Sequence, residues 1–316
     1  MTWVTWRQHR AELLAVGAIL VALGVFVVIT GVLMRNFEGG LPCLQTPSPA
    51  GCAGTANDFH RRFDGIQGVV GWFNLVPALV GIFVGAPLVA REIERGTFRV
   101  AWTQSITRTR WILVKLAGIL VLAVAAAAIM SALMTWWRQP FDLLSGRLEP
   151  GGFDFEGLTP FAYFLFALAL GVLSGSLLRR TVPAMILTLV LFMGIRLPIE
   201  DALRPHYATP VTVALTAARG ATDPTLGGWV IDRGTVDGRG GRVFEGELVA
   251  ICGSPSQLGP DIGALKSCVA AHGFVDSVVY QPAGRFWDFQ LIEAGIFGGL
   301  SVLCLGFTVW WVRRMR

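Results

Sequence analysis

Six apolar runs, separated by polar or basic stretches, constrain this 316-residue chain more than any other feature. They cover roughly 11–34, 67–90, 111–136, 158–178, 182–197 and 289–312. A helix rises about 1.5 Å per residue, so about 20 apolar residues cross a hydrocarbon core. The runs therefore predict an all-α membrane bundle of six spans. Composition agrees: only 15% of residues are charged, where a soluble domain carries about a quarter. The fifth run, Val182 to Ile195, is short for a crossing. It either continues through "RLPIEDAL" as a tilted helix or is helped by a re-entrant segment at 211–218. Arg7 and Arg10 give the first run the look of a signal peptide. Its apolar stretch of about 21 residues is too long for one and no small-x-small cleavage site follows, so a retained span is expected.

Charge placement predicts the sidedness. The two termini, 91–115 and 178–181 hold 13 of the 26 Lys and Arg residues in roughly 45 residues. Basic residues gather in short cytoplasmic segments, so both termini and the 91–110 loop are expected in the cytoplasm of a cell-membrane protein. A net charge of +5 distributed this way orients the chain, and no nucleic-acid partner is expected. Cys43 with Cys52, and Cys252 with Cys268, then fall on the outer side, where disulfides persist. Metal ligation and free thiols are the alternatives, but neither pair has Cys-x-x-Cys spacing, and no metal site is expected. Cys304 is left over as a packing residue inside the last span.

Along the chain, 1–10 reads as an interfacial amphipathic helix, with Trp3 and Trp6 on one edge and Arg7 and Arg10 beside them. Residues 11–197 carry spans one to five, 198–288 an external domain braced by Cys252 and Cys268, and 289–316 the sixth span with a basic tail. The external region shows strand-like pieces, "GWVID", "ELVAI" and "SVVY". Small residues recur at helix-contact spacing at Gly81/Gly85, at Gly171/Gly175 and at Gly295 with Gly298 and Gly299, as in close helix packing. Pro77 and Pro87 are expected to kink the second span. His60, Arg61 and Arg62 run against the charge rule, but Asp58 and Asp64 flank them, which suggests a locally paired interfacial helix.

No enzyme chemistry is legible. A phosphate-binding loop needs Lys directly after Gly, whereas Lys115 follows Val and Lys266 follows Leu. The four histidines are scattered, and no Gly-x-Ser-x-Gly occurs. Polar residues inside spans are costly unless paired or used, which singles out Asn74 and Glu293 as candidates for lining a substrate path. Both stand close enough to the outer interface to be wetted instead.

The loop between the second and third runs is the most distinctive polar segment. It reads Glu92 and Glu94, then Arg95-Gly96-Thr97, then "TQSITRTRWILVK", which includes Thr103, Gln104, Arg108 and Lys115. It resembles the cytoplasmic loop of ABC type-2 exporter permeases, with Ser105 where a proline is common. The start "MTWVTWRQHR" and the exit "YQPAGRFWDFQLIEAGIF" are similar to the actinobacterial branch. The resemblance implies a membrane subunit without catalytic residues of its own. It implies two copies of a separately encoded ATPase, binding ATP and Mg, docked on 91–110 through Glu92, Glu94, Arg95, Gly96, Thr97, Thr103, Gln104 and Arg108. It also implies a second copy of the chain, a lipid setting and an amphipathic substrate: drug, antibiotic, peptide or lipid. A non-transporting complex that drives the external domain is the alternative, and a membrane-embedded enzyme a weaker third.

Overall fold

The computed structural model describes residues 22–37, 40–44, 54–96, 108–215, 225–253 and 262–314. Among them, five helices are long and apolar enough to cross a membrane: α2 (Thr55–Glu94), α3 (Arg108–Ser145), α5 (Thr159–Leu178), α6 (Thr181–His206) and α9 (Ala283–Arg314). A shorter apolar helix, α1 (Ala22–Arg35), occupies the second half of the first expected span. The interfacial helix expected at 1–10 and the first half of that span lie outside the described residues. A one-turn helix α4 (Pro150–Phe153) follows α3. The remaining elements are β1 (Val211–Leu215), β2 (Trp229–Val236), β3 (Arg242–Val243), α7 (Glu245–Cys252), α8 (Ile262–Ala271) and β4 (Val275–Gln281). The chain divides into two compact units: 1–144 with 151–194 and 293–316, and 145–150 with 195–292.

The helical unit shows how prolines shape long helices. A proline lacks an N–H and rejects the carbonyl four residues back. For Pro77 that carbonyl belongs to Phe73, inside a 3₁₀ turn at Trp72–Leu75. For Pro87 it belongs to Phe83, inside a π turn at Gly81–Gly85. α2 thus remains one helix by tightening once and widening once. In α3, Pro140 releases the carbonyl of Trp136, and the Arg35 guanidinium of α1 donates to it while lying 4.1 Å from the Trp136 ring centroid. Trp137 beside it donates its indole N–H to Thr30 at 2.9 Å.

Glycines set the closest helix contact. A Cβ on Gly81 would lie 2.5 Å from the carbonyl oxygen of Ala167, and one on Gly171 would overlap the carbonyl oxygen of Gly81. α2 and α5 therefore meet backbone to backbone, as the spacing of Gly81/Gly85 and Gly171/Gly175 predicts. The third set behaves differently: nothing in the described chain lies within 4 Å of a Cβ built on Gly295, Gly298 or Gly299. An aromatic cluster of Phe59, Phe63, Trp137, Phe141 and Phe155 joins α2, α3 and the 154–158 segment. On α2, Arg61 pairs with Asp58 and His60 with Asp64 at 2.9 Å, as the flanking acids suggest.

The second unit is an antiparallel four-stranded sheet in the order β1-β4-β2-β3. Val211 pairs with Tyr280 and Val230 with Tyr280 from the other side, and a bulge between Val230 and Asp232 shifts the register. "GWVID" and "SVVY" are strands, but "ELVAI" lies in α7 rather than in a strand. A five-residue apolar run does not reveal its period, and Glu247, Leu248 and Ala250 are good helix formers. The Cys252–Cys268 disulfide joins α7 to α8. Cys43 is also disulfide-bonded, while Cys52, its expected partner, lies outside the described residues. The re-entrant alternative for 211–218 gives way to β1, and α6 instead continues the fifth run through Pro198 and a π turn at Ile199–Leu203. Two buried arginines, Arg196 and Arg204, flank Glu200 along that extension. Gln281 at the end of β4 donates to the carbonyls of Pro205 and Ala208, tying the sheet to the end of α6.

Candidate functional site

The end of α2 is the meeting point of the helical unit. Val89 packs in a buried cluster with Trp111 and Ile112 of α3, Val172 of α5 and Val312 of α9. Ala86 and Ala90 pack on Ala184 of α6. α2 then stops at Glu94, the Gly96 N–H reaches back to the Ile93 carbonyl, and Gly96 turns the chain away with φ 69°. A residue with a side chain is strained in that left-handed conformation, which explains a glycine after the acidic turn.

Glu92 and Glu94 are two residues apart, about 200° around a helix, so they do not face one partner together. Glu92 forms an ion pair with Lys115 of α3, whose ammonium also lies 4.4 Å from the Trp111 ring centroid. Glu94 turns toward α6. Its Oε2 accepts the Thr181 hydroxyl at 2.8 Å and the Thr181 backbone N–H at 3.0 Å. Glu94 thus caps the first turn of a helix 87 residues further along the chain. The turn that presents Thr181 is closed by Arg179 with φ 55°, the one non-glycine residue with positive φ among those described. The hydroxyl and amide of Thr181, with Arg180 and Arg95 nearby, hold the Glu94 carboxyl below the usual carboxylate range.

Of the other residues the sequence assigns to this loop, Arg95 is exposed and Gly96 half-buried. Arg108 opens α3. Thr97, Thr103 and Gln104 lie outside the described residues. Thr181 was missed, since a Thr after "RR" gives no hint of an acid on another loop.

The two intramembrane candidates stand apart in character. Asn74 sits half-buried in the 3₁₀ turn of α2. Glu293, read as either lining a substrate path or wetted near the outer interface, is completely buried, and its carboxyl meets the Tyr163 hydroxyl of α5 at 2.5 Å. A tyrosine inside an apolar run was the available signal, because a buried phenol needs a polar partner.

Farther along the same helices, α3, α5 and α9 line an open cavity of about 550 Å³. Its lining is apolar, including Leu113 and Leu120, Leu165 and Ala169, and Leu305 and Val309. In the second unit, the cluster of Cys252, Cys268 and His272 has the composition of a metal site. Both sulfurs are committed to the disulfide, which leaves only the His272 ring as a donor there.

Comparison with known families matches residues 17–204 to a description of membrane proteins called ABC-2 membrane transporter related. The chain belongs to that family. The match spans 188 of 316 residues, from the α1 run through the Glu92 and Glu94 clasps to the end of α6. It stops short of the sheet strands and α9. No curated protein and no solved structure matches the chain. ABC-2 membrane proteins are permease subunits that in general work with an ATPase partner, and this chain is a multi-pass member of that group.

Proposed function

We propose that the chain is the membrane half of an ATP-driven exporter, with six spans and its termini and 91–110 loop in the cytoplasm. Two chains form the pathway, and two copies of a separately encoded ATPase, binding ATP and Mg, dock on 91–110. The observation that carries this reading is the convergence at the end of α2. Residues 91–96 are tied to α3 through Lys115 and to α6 through Thr181, and α2 just before them packs on α5 and α9. Force applied to such a turn reaches every long helix of the unit, which orientation in a membrane alone does not require. Glu92 and Glu94 then act as internal clasps of the docking turn, and its exposed Arg95, with Thr97, Thr103, Gln104 and Arg108, meets the ATPase. The apolar cavity supports an amphipathic substrate.

Charge reversal at both acids, E92K with E94K, tests the reading. The expected outcome is a permease that still inserts but no longer stimulates hydrolysis by its ATPase. Wild-type stimulation in that variant counts against the coupling role. A second reading, mechanical drive of the external domain without transport, is favoured by the family match ending before the first strand of the sheet. Vesicle uptake assays separate the two: stimulated hydrolysis without movement of any amphipathic compound supports the second.

A further inference from the structure

The corner where α7 and α8 are joined holds three donors of metal-binding type. Sγ of Cys252, Sγ of Cys268 and a ring nitrogen of His272 all lie within 4.8 Å of one another. Cys252 is buried, Cys268 half-buried and His272 exposed, so the group is open on the histidine side. The disulfide braces the corner without any bond to His272, yet the histidine is held beside it. Cys268 and His272 stand four residues apart at the end of α8, on one helix face. Nδ1 of the ring is 3.6 Å from the Cys268 sulfur and 3.0 Å from the Cys268 carbonyl oxygen. Phe274 stacks on the imidazole with ring centroids 6.0 Å apart, which fixes the ring from its other side.

We propose that reduction of the Cys252–Cys268 disulfide turns this corner into a zinc site, with Cys252, Cys268 and His272 as ligands and water in the fourth position. Two thiolates and an imidazole are the donor set that a thiophilic, tetrahedral cation takes. Zinc lies about 2.3 Å from a thiolate and about 2.05 Å from an imidazole nitrogen, which sets the two donors about 3.6 Å apart. The edge from Cys268 to His272 already has that length. Only Cys252 has to swing outward once the bond is open. It is the last residue of α7, directly before Gly253, whose φ of 84° turns the chain away.

The reductant is a dithiol. One of its thiolates attacks the more accessible Cys268 sulfur, the S–S bond breaks, and Cys252 leaves as a thiolate. The second thiol of the reductant then attacks the mixed disulfide and releases Cys268. The reductant ends as a disulfide and has supplied two electrons. Zn2+ takes both cysteine thiolates, and the two protons of the dithiol pass to water. The His272 ring carries its proton on Nε2 when Nδ1 ligates. The Cys268 carbonyl then keeps the His272 backbone N–H at 3.1 Å, so it stays hydrogen-bonded. Zinc and disulfide exclude each other. The corner is therefore braced by a covalent bond under oxidising conditions and by an ion under reducing ones.

The test is a Co2+ titration of the purified full chain in lipid nanodiscs, before and after treatment with a phosphine reductant that is then removed. No ATPase is present, so the outcome is independent of the exporter reading. Co2+ stands in for zinc because tetrahedral thiolate ligation gives it visible and charge-transfer absorption. The expected result is one Co2+ per chain that binds only after reduction, is displaced by Zn2+, and is released when an oxidant re-forms the disulfide. C252A/C268A, which leaves the other cysteines in place, lacks that ion. H272A weakens its binding at least ten-fold, while the oxidised H272A chain keeps its disulfide. Reduced wild type that binds no more Co2+ than the oxidised protein overturns the site, and this comparison needs no substitution. Equal binding by reduced wild type and C252A/C268A places the ion on other cysteines and overturns it too. Equal affinity in H272A and wild type removes the histidine and with it the three-ligand site.

Discussion

Glu94 shows how a residue's meaning depends on a partner that sequence order hides. Its carboxyl is held below the ordinary range by the hydroxyl and amide of Thr181. A depressed pKa contributes stability above the unfolded value, about 4.3, and loses it as pH falls through the folded value. Wild type and E94Q are therefore expected to differ in melting temperature at pH 7, with the gap closing only below about pH 4.3. A gap unchanged between pH 7 and pH 3 would mean that the clasp is not ionic. The sequence marks Glu92 and Glu94 as unusual because orientation needs only positive charge. It does not reveal that they point to different helices, since Lys115 and Thr181 are distant along the chain. Arg35 is the same kind of case. An arginine ending an apolar run reads as an anchor, yet it serves the carbonyl that Pro140 leaves without a helical donor.

At the scale of elements, helical runs and glycine spacing were legible because length and period are local properties. α2, α3, α5 and α9 lie where their apolar runs predict, and α6 extends the short fifth run by passing through Pro198 instead of stopping there. "ELVAI" was not legible, because five residues do not distinguish periods of 2 and 3.6. The glycines give a graded test. Gly171→Ala places a methyl against the Gly81 carbonyl, and neither backbone has a flexible end to move. Overpacking of this kind costs about 1–3 kcal/mol. Gly298→Ala meets nothing within 4 Å in this chain and is expected to leave the melting temperature of the detergent-solubilised monomer unchanged or slightly raised. Thermal denaturation of the two variants side by side checks both. Equal melting temperatures would show that the α2–α5 seam relaxes freely.

For the whole molecule, the proposed reading separates two jobs within the helical unit: receiving force at the end of α2 and passing substrate among α3, α5 and α9. The residues involved are distinct. Ala169 lines the apolar cavity and makes none of the clasp bonds of Glu92 or Glu94. Ala169→Trp puts a large ring where the cavity offers about 550 Å³. The variant is expected to co-purify with the ATPase as wild type does, and to lose at least ten-fold in substrate-stimulated hydrolysis and vesicle uptake, equivalent to about 1.4 kcal/mol or more. The E92K/E94K chain is expected to fail at the earlier step, with hydrolysis uncoupled whatever compound is added. A binding titration with a fluorescent amphipathic compound completes the comparison, since the clasp variant keeps its affinity and the cavity variant does not. If both variants lose the ATPase and the compound together, the two jobs are not separable. The cavity would then be packing space in one rigid bundle, because only a site with its own contacts can be filled without disturbing the turn that grips the motor.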